Sequence, residues 1–313
     1  MSASLLNQSQ VRGNFAREVE VSMHNQRVRD LAIVASTAEN VSRFGFLQPP
    51  DALRKNAGTA STNRAVGHYV DVINERYQTE MNVDRQDWVN DQTGLTRGIP
   101  AELGARVVNN MFKMVVDLSV AGQTGTGYDG AAFFSASHYQ SQTNLLTATE
   151  VTALNVTTAA APTPEEMVDA ITGVIGYMKA AVDQKGEPMG ENAQKFLVVC
   201  PATTLWAPAI TAIRANNLAS GQTSVLATLN EQGWDVDAIA TPRLTDTDAF
   251  YVYRTDGMRT KPFIISENIP ASIDILDESS DHYKKEGEFG FVASWYGNAA
   301  YGEPMHSAHC QLS

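Results

Sequence analysis

Residues 68–84, HYVDVINERYQTEMNVD, place the tightest limit on what this chain can become. Tyr69, Ile73, Tyr77, Met81 and Val83 fall on alternate positions of one face, interrupted by Asp71, Glu75 and Thr79, while Asn74, Arg76, Gln78 and Glu80 fall on the other. A period of two is that of a strand. The stretch predicts one ribbon strand more than twice the usual length, and a strand of that reach needs something to lie against. Just before it, RFGFLQPPDALRKNAGTASTNRAVG predicts an exposed excursion, because Pro49 and Pro50 break any helix and a run of Gly, Ser, Thr and Asn follows. Residues 1–43 are polar and apolar by turns, with Val28, Leu31, Ile33 and Val34 suited to a short helix. They predict an arm lying across something else rather than a compact unit.

After residue 84 the pattern changes. In DRQDWVNDQTG, Asp84, Asp87 and Asp91 would share one helical face, which suits either a metal or, more simply, Asp84 as a cap with Asp87 beside the positive helix end. The stretch lacks the alternating oxygens and central glycine of a calcium loop, so the capping reading is preferred. Next, PAELGARVVNNMFKMVVDLSVAG sets Leu103, Val107, Met111, Met114 and Leu118 at helical spacing, with Pro100 suited to the first turn and Gly122 to the residue past the end. Gly125, Gly127 and Gly130 then follow in the spacing G-x-G-x-x-G. A nucleotide turn has a strand before those glycines and a helix after them. Here a helix C-terminus precedes them and Asp129 adds negative charge, so the segment predicts a turn without a cofactor.

Residues 139–162, rich in Thr, Ala, Ser, Gln and Asn, predict a linker or surface segment. A second unit opens at TPEEMVDAITGVIGYMKAAVDQKG, where Thr163 and Glu166 form a capping box, Pro164 takes the first helical position, and Met167, Ile171, Val174, Met178 and Val182 form the buried stripe. Strand KFLVVC, helix PATTLWAPAITAIRANN and strands DVDAIATP, FYVYR and KPFIISE predict a mixed sheet covered by helices. EFGFVASWYGNAAYGEP returns to strand before a polar, solvated tail.

Chemistry is sparse. No G-x-S-x-G and no phosphate-cradling G-x-x-x-x-G-K-[ST] occurs. His306, His309 and Cys310 could ligate a metal, but in a frayed tail they lack a fourth partner. His138 would need a nucleophile and an orienting acid to act as a base, so a hydrogen-bonded loop histidine is predicted. The two cysteines, Cys200 and Cys310, make no disulfide framework, and Cys200 reads as a buried apolar residue. With 35 acidic and 23 basic residues the net charge is −12, opposed to a protein whose main task is gripping phosphate backbones. The N-terminus lacks the apolar core of a signal peptide, and no segment approaches about eighteen uninterrupted apolar residues, which predicts a soluble chain with no membrane partner.

The succession of VDRQDWVNDQTG, a helix ending in VVDLSVAG, and YDGAAFFSASH resembles the major head subunit of Mu-like phages and prophages. The positions that carry it are Val83, Asp84, Arg85, Asp87 and Asp91, then Tyr128, Asp129, Gly130, Phe133, Phe134 and His138. FGFLQPPDALRKNAG and EFGFVASWYGNAAYGEP are similar in place and character to segments of that family. The likeness is strongest over residues 44–138; over 160–280 it is one of element order.

The resemblance implies the α+β capsid fold of phage Hong Kong 97: an N-terminal arm (1–43), an extended β-ribbon loop (44–83), a peripheral domain with a long spine helix (84–162), a mixed axial domain (163–276), and a return strand with the tail (277–313). It implies a structural, non-enzymatic subunit without cofactor or metal, building pentamers and hexamers of an icosahedral virion head in the bacterial cytoplasm around double-stranded DNA held without sequence-specific contacts. No long charged coiled coil precedes the arm, which implies a separate scaffolding protein, beside portal and decoration proteins. Arg54, Lys55, Tyr69, Arg76 and Tyr77 are the implied contacts between subunits. Covalent cross-linking through Lys55 would need a nearby acid in a dry pocket and is not expected of Mu-like heads; ion pairs from Arg54 and Lys55 are. The alternatives are an encapsulin-like compartment, a soluble enzyme whose site is dispersed in sequence, and a tail or decoration protein.

Overall fold

The computed structural model describes residues 7–47, 67–219, 221, 223–257 and 260–313. The elements run α1 (Gln8–Asn25), α2 (Val28–Leu31), β1 (Ala32–Ser36), β2 (Val41–Leu47), β3 (Gly67–Ile73), β4 (Glu75–Asp84), α3 (Arg85–Val89), α4 (Leu95–Ala121), β5 (Leu145–Leu146), α5 (Pro164–Lys179), β6 (Lys195–Pro201), α6 (Trp206–Arg214), α7 (Val225–Glu231), β7 (Asp235–Thr241), β8 (Ala249–Arg254), β9 (Phe263–Leu276), α8 (Asp281–Glu286), β10 (Glu288–Tyr301) and β11 (Ser307–Gln311). They form a four-stranded sheet β1-β9-β10-β4, a five-stranded sheet β5-β11-β8-β6-β7 and a two-stranded ribbon β2-β3.

The long helix α4 packs on the four-stranded sheet, setting Val107, Met111 and Val115 against Phe289, Phe291 and Trp295. Its expected stripe is buried at Leu103, Val107 and Met111 and half-buried at Met114 and Leu118. The helix starts earlier than Pro100 suggests. Asp91 takes the backbone N–H groups of Gly94, Leu95, Thr96 and Arg97, so the first turn is closed upstream and Pro100 falls in the second.

The expected arm is instead mostly helix. Val11, Phe15 and Met23 of α1 are buried against α4. The approach is close enough that a Cβ on Gly104 would lie 2.9 Å from the Phe15 carbonyl oxygen. Val28 and Leu31 are buried in α2, while Ile33 and Val34 lie in β1, paired parallel with β9.

The single ribbon expected over 68–84 is two strands with different partners. β3 pairs with β2, and β4 pairs with β10. The break is Asn74, buried, whose side-chain amide donates to the Glu39 carbonyl and Ser42 Oγ and whose backbone N–H donates to the Asn40 carbonyl. The odd-numbered stripe therefore does not run through: Tyr69, Ile73 and Met81 are exposed, while Val72 and Val83 are buried.

In the second sheet, period two divides the side chains between two cores. Phe196, Val198 and Cys200 of β6 face α5, α6 and α7, whereas Leu197 and Val199 join the core beneath α4. The capping box at Thr163 and Glu166 opens α5 as its sequence predicts, although Val182 lies past the end of the helix. Three expectations fail here for want of tertiary context. Residues 139–162 are no linker, since Leu146, Val151, Leu154 and Val156 sit in the second core. KPFIISE belongs to β9 of the first sheet rather than to the second. The polar tail is β11, lying between β5 and β8 with His306, His309 and Cys310 buried. Arg27, in a left-handed conformation (φ 53°) between α1 and α2, ties that turn to β7 of the second sheet through Asp237 (2.8 Å) and Asp235 (3.8 Å) and pairs locally with Asp30 of α2 (3.0 Å).

Candidate assembly surface

Residues directly opposed in an antiparallel pair share a face, so the ribbon has an inward and an outward side. Inward go Ser42 with Val72, Phe44 with Val70, and Phe46 with His68. Ser42 and Val72 are buried, Ser42 accepts from Ser266 of β9 (2.9 Å), and Phe46 stacks on Tyr128 (centroids 4.4 Å, 8°). Outward go Val41 with Ile73, Arg43 with Asp71, and Gly45 with Tyr69. Val41, Ile73 and Tyr69 are 45%, 61% and 63% exposed, so the apolar side chains of this face lie together in water. Arg43 grips Asp71 through two bonds (2.7 and 2.8 Å) and lies 5.8 Å from the Tyr69 ring centre. That hydrogen-bonded pairing holds the Asp71 carboxyl below its ordinary range, but both groups are solvated, so it orients the face more than it stabilises it.

Of the implied contact residues, Arg54 and Lys55 lie outside the described residues. Tyr69 stands on the outward ribbon face and Arg76 is exposed on β4. Tyr77 turns inward, half-buried, stacked on Trp295 (5.7 Å) with its hydroxyl donating to Glu75 (3.1 Å). The structure thus separates Tyr69, Arg76 and Tyr77 into three settings. Between β4 and α4 runs an open groove of about 580 Å³, lined among others by Tyr77, Met81, Leu103, Val107 and Trp295. Nothing in the sequence marks Val41 and Ile73 as contacts; their opposition across β2 and β3 exists only once the strands pair.

The G-x-G-x-x-G segment is a tight reversal against the body. Thr126 bridges Ala132, Gly130 takes a left-handed φ of 83°, and Gly125 leaves space that Tyr301 fills. His138, buried, is hydrogen-bonded on both nitrogens, to Asp129 (2.6 Å) and Asn144 (3.1 Å). Beside it Glu303, buried at the crossing from β10 to β11, accepts from Tyr128 (2.9 Å) and Tyr139 (2.7 Å). Burial raises the Glu303 pKa, and burial next to that carboxyl raises both tyrosines. Burial also lowers His306 and His309 to about 4 and lifts the Cys200 thiol to about 12, which keeps the imidazoles neutral and the thiol unreactive near neutrality. Asp129, His138 and Asn144 bond to one another, as do Tyr128, Tyr139 and Glu303, whereas His306 bonds to the Thr260 carbonyl and the buried Nδ1 of His309 has no partner among the described residues. Among the described residues no helix is long and apolar enough to cross a membrane.

The sequence model of one protein family, Mu-like prophage major head subunit gpT, matches residues 8–164, half of the 313-residue chain. The chain belongs to this family. No curated protein matches the head subunit in sequence. Among solved structures, the capsid of cyanophage P-SCSP1u matches it with a TM-score of 0.56 at 12% identity, over 91% of this chain and 87% of that one. A virus-like particle from Pyrococcus furiosus matches with a TM-score of 0.54 at 11% identity, over 97% and 99%. Against the capsid chain of bacteriophage JBD30 the values are 0.46 and 12%, and the head subunit spans 63% of that chain's length. The fold is that of phage major capsid proteins, the Hong Kong 97 type.

Proposed function

We propose that this head subunit assembles through pentamers and hexamers into an icosahedral shell that encloses double-stranded DNA without sequence-specific contacts. The observation that carries the reading is the outward ribbon face, where Val41, Ile73 and Tyr69 remain exposed in a family of head subunits. Ordering a ribbon costs about 1 to 2 kcal/mol per residue in backbone entropy, and covering its apolar face returns roughly 25 cal/mol per Å². The ribbon gains that cover on a neighbouring subunit. In this reading β2 and β3 root the extended loop, the sheet containing β4 with spine helix α4 forms the peripheral part, and the sheet containing β6 with its helices forms the axial part. Tyr69 and Arg76 are direct subunit contacts, Tyr77 supports the groove behind them, and Arg54 and Lys55 contribute ion pairs between subunits. The acidic balance of the chain supports a wall that does not adhere to its contents. A separate scaffolding protein guides closure, a portal occupies one vertex, and assembly takes place in the bacterial cytoplasm; the subunit itself has no enzymatic role.

Electron microscopy of the chain expressed with its neighbouring genes tests the reading. Closed particles that protect DNA from nuclease are the expected result. A chain that stays monomeric at every concentration, with its scaffold present, overturns it. Particles that form but enclose a protein cargo instead of DNA favour the compartment reading.

A further inference from the structure

Strand β4 closes one edge of the four-stranded sheet. It pairs with β10 in unbroken register from Glu75↔Gly297 to Asp84↔Glu288, and among the described residues no strand lies on its other side. The opposite edge, β1, is only five residues long. Edge strands ordinarily carry a proline, a lysine, a bulge or a cover that prevents pairing with another chain. The β4 sequence ERYQTEMNVD has neither proline nor lysine, its ladder with β10 has no bulge, and eight of its ten residues are exposed; its charges, Glu75, Arg76, Glu80 and Asp84, are of both signs, so they block the edge only against a partner that sets like charges opposite them. Beneath it lies the groove over α4, and there the side-chain amide nitrogen of Asn110 is buried without an acceptor. Arg76 and Glu80, four apart on the same face, make no ion pair within the described chain.

We propose that β4 pairs antiparallel with β4 of a second copy across a two-fold axis, with Gln78 at the axis. The proposal rests on the head-subunit reading and names one contact within it. A two-fold axis perpendicular to the sheet keeps each face on its own side, so only residues of matching parity can oppose. Centred on Gln78, the register sets Arg76 opposite Glu80 of the partner subunit, twice, and Tyr77 opposite the partner's Thr79 on the groove side. Centred on Glu80, it sets Arg76 opposite the partner's Asp84 but brings the two Glu80 carboxylates together. Centred on Arg76, it opposes two guanidinium groups. The Gln78 register alone matches charges at both Arg76 and Glu80 with no like pair, and opposite charges directly across a ladder favour it while like charges disfavour it. The result is a continuous sheet across two subunits, with each α4 on the same side.

Cysteine at the axis tests this. Opposed Cα atoms in an antiparallel pair are about 4.5 to 5.5 Å apart, within the disulfide range of about 4.4 to 6.8 Å. Cys200 and Cys310 are buried and supply no competing bridge. Gln78→Cys in assembled particles is expected to give a covalent dimer on mild oxidation. In that background Arg76→Glu or Glu80→Arg alone should cut the dimer about tenfold, and the two together should restore it, because only the pair of substitutions returns opposite charges to face each other. Particles that form while Gln78→Cys stays monomeric overturn the pairing and leave the shell reading intact. Cross-linked dimers that never close into particles support the pairing and overturn the shell reading. Neither dimers nor particles overturns both.

Discussion

Glu303 concentrates several consequences in one carboxyl group. Its alanine variant leaves the half-buried Tyr128 and Tyr139 hydroxyls without their carboxylate acceptor, at about 1 to 3 kcal/mol each, so Glu303→Ala should lower unfolding free energy by about 2 to 6 kcal/mol in urea titrations. Glu303→Gln keeps an acceptor and should lose far less. Because burial raises the native pKa of Glu303, the folded state holds the proton more tightly than the unfolded one, and stability falls as pH climbs from the ordinary carboxylate range through the raised value. The glutamine variant should lack that slope. Glu166 has the opposite sign. Hydrogen bonds from Thr157 and Thr163 lower it to about 2, so its contribution is complete above the ordinary carboxylate range and disappears as pH falls toward that value. Wild-type and Glu166→Gln melting temperatures should therefore converge in acid. At Gly125 a methyl group would meet the ring and hydroxyl of Tyr301, which donates to the Leu118 carbonyl (3.0 Å); Gly125→Ala should cost about 1 to 3 kcal/mol in the same titration.

Phe15 of α1 is buried against α4, so Phe15→Ala should cost about 3 to 5 kcal/mol and raise hydrogen exchange across residues 8–25 before the rest of the molecule. The case also shows what sequence can reveal about an element. Val11, Phe15, Val19 and Met23 recur every four residues, a helical period that the surrounding Gln, Asn, Arg and Glu obscure without removing. The capping box of α5 is fully legible, because Thr163, Pro164 and Glu166 determine it within four residues. Asn74 is the converse. Alternation continues in phase through it, and only the choice of β2 as partner on one side and β10 on the other creates the break. For β11 the same holds more strongly: SAHCQ is a strand because β5 and β8 flank it, and nothing in its own composition says so. The candidate contacts divide likewise. Tyr69 and Arg76 are exposed as an interface requires, Tyr77 is claimed by Trp295, and the pairing of Val41 with Ile73 is a product of register.

At the scale of the whole molecule, the two sheets are interleaved along the chain. The first takes β1 and β4, the second then takes β5 through β8, the first recovers β9 and β10, and the second ends with β11. Deleting residues 303–313 should therefore damage the middle of the chain: β5 and β8 lose their shared neighbour, the second core loses Ala308, Cys310 and Leu312, and circular dichroism with sizing should report a misfolded species rather than a trimmed subunit. The long ladder between β9 and β10, 14 residues each, has a mechanical meaning as well. Tension directed along those strands loads many of its bonds in shear at once, where a crosswise pull would unzip them singly. A plate built this way stretches little before it ruptures, so a wall tiled from such plates under outward pressure gives first at its seams.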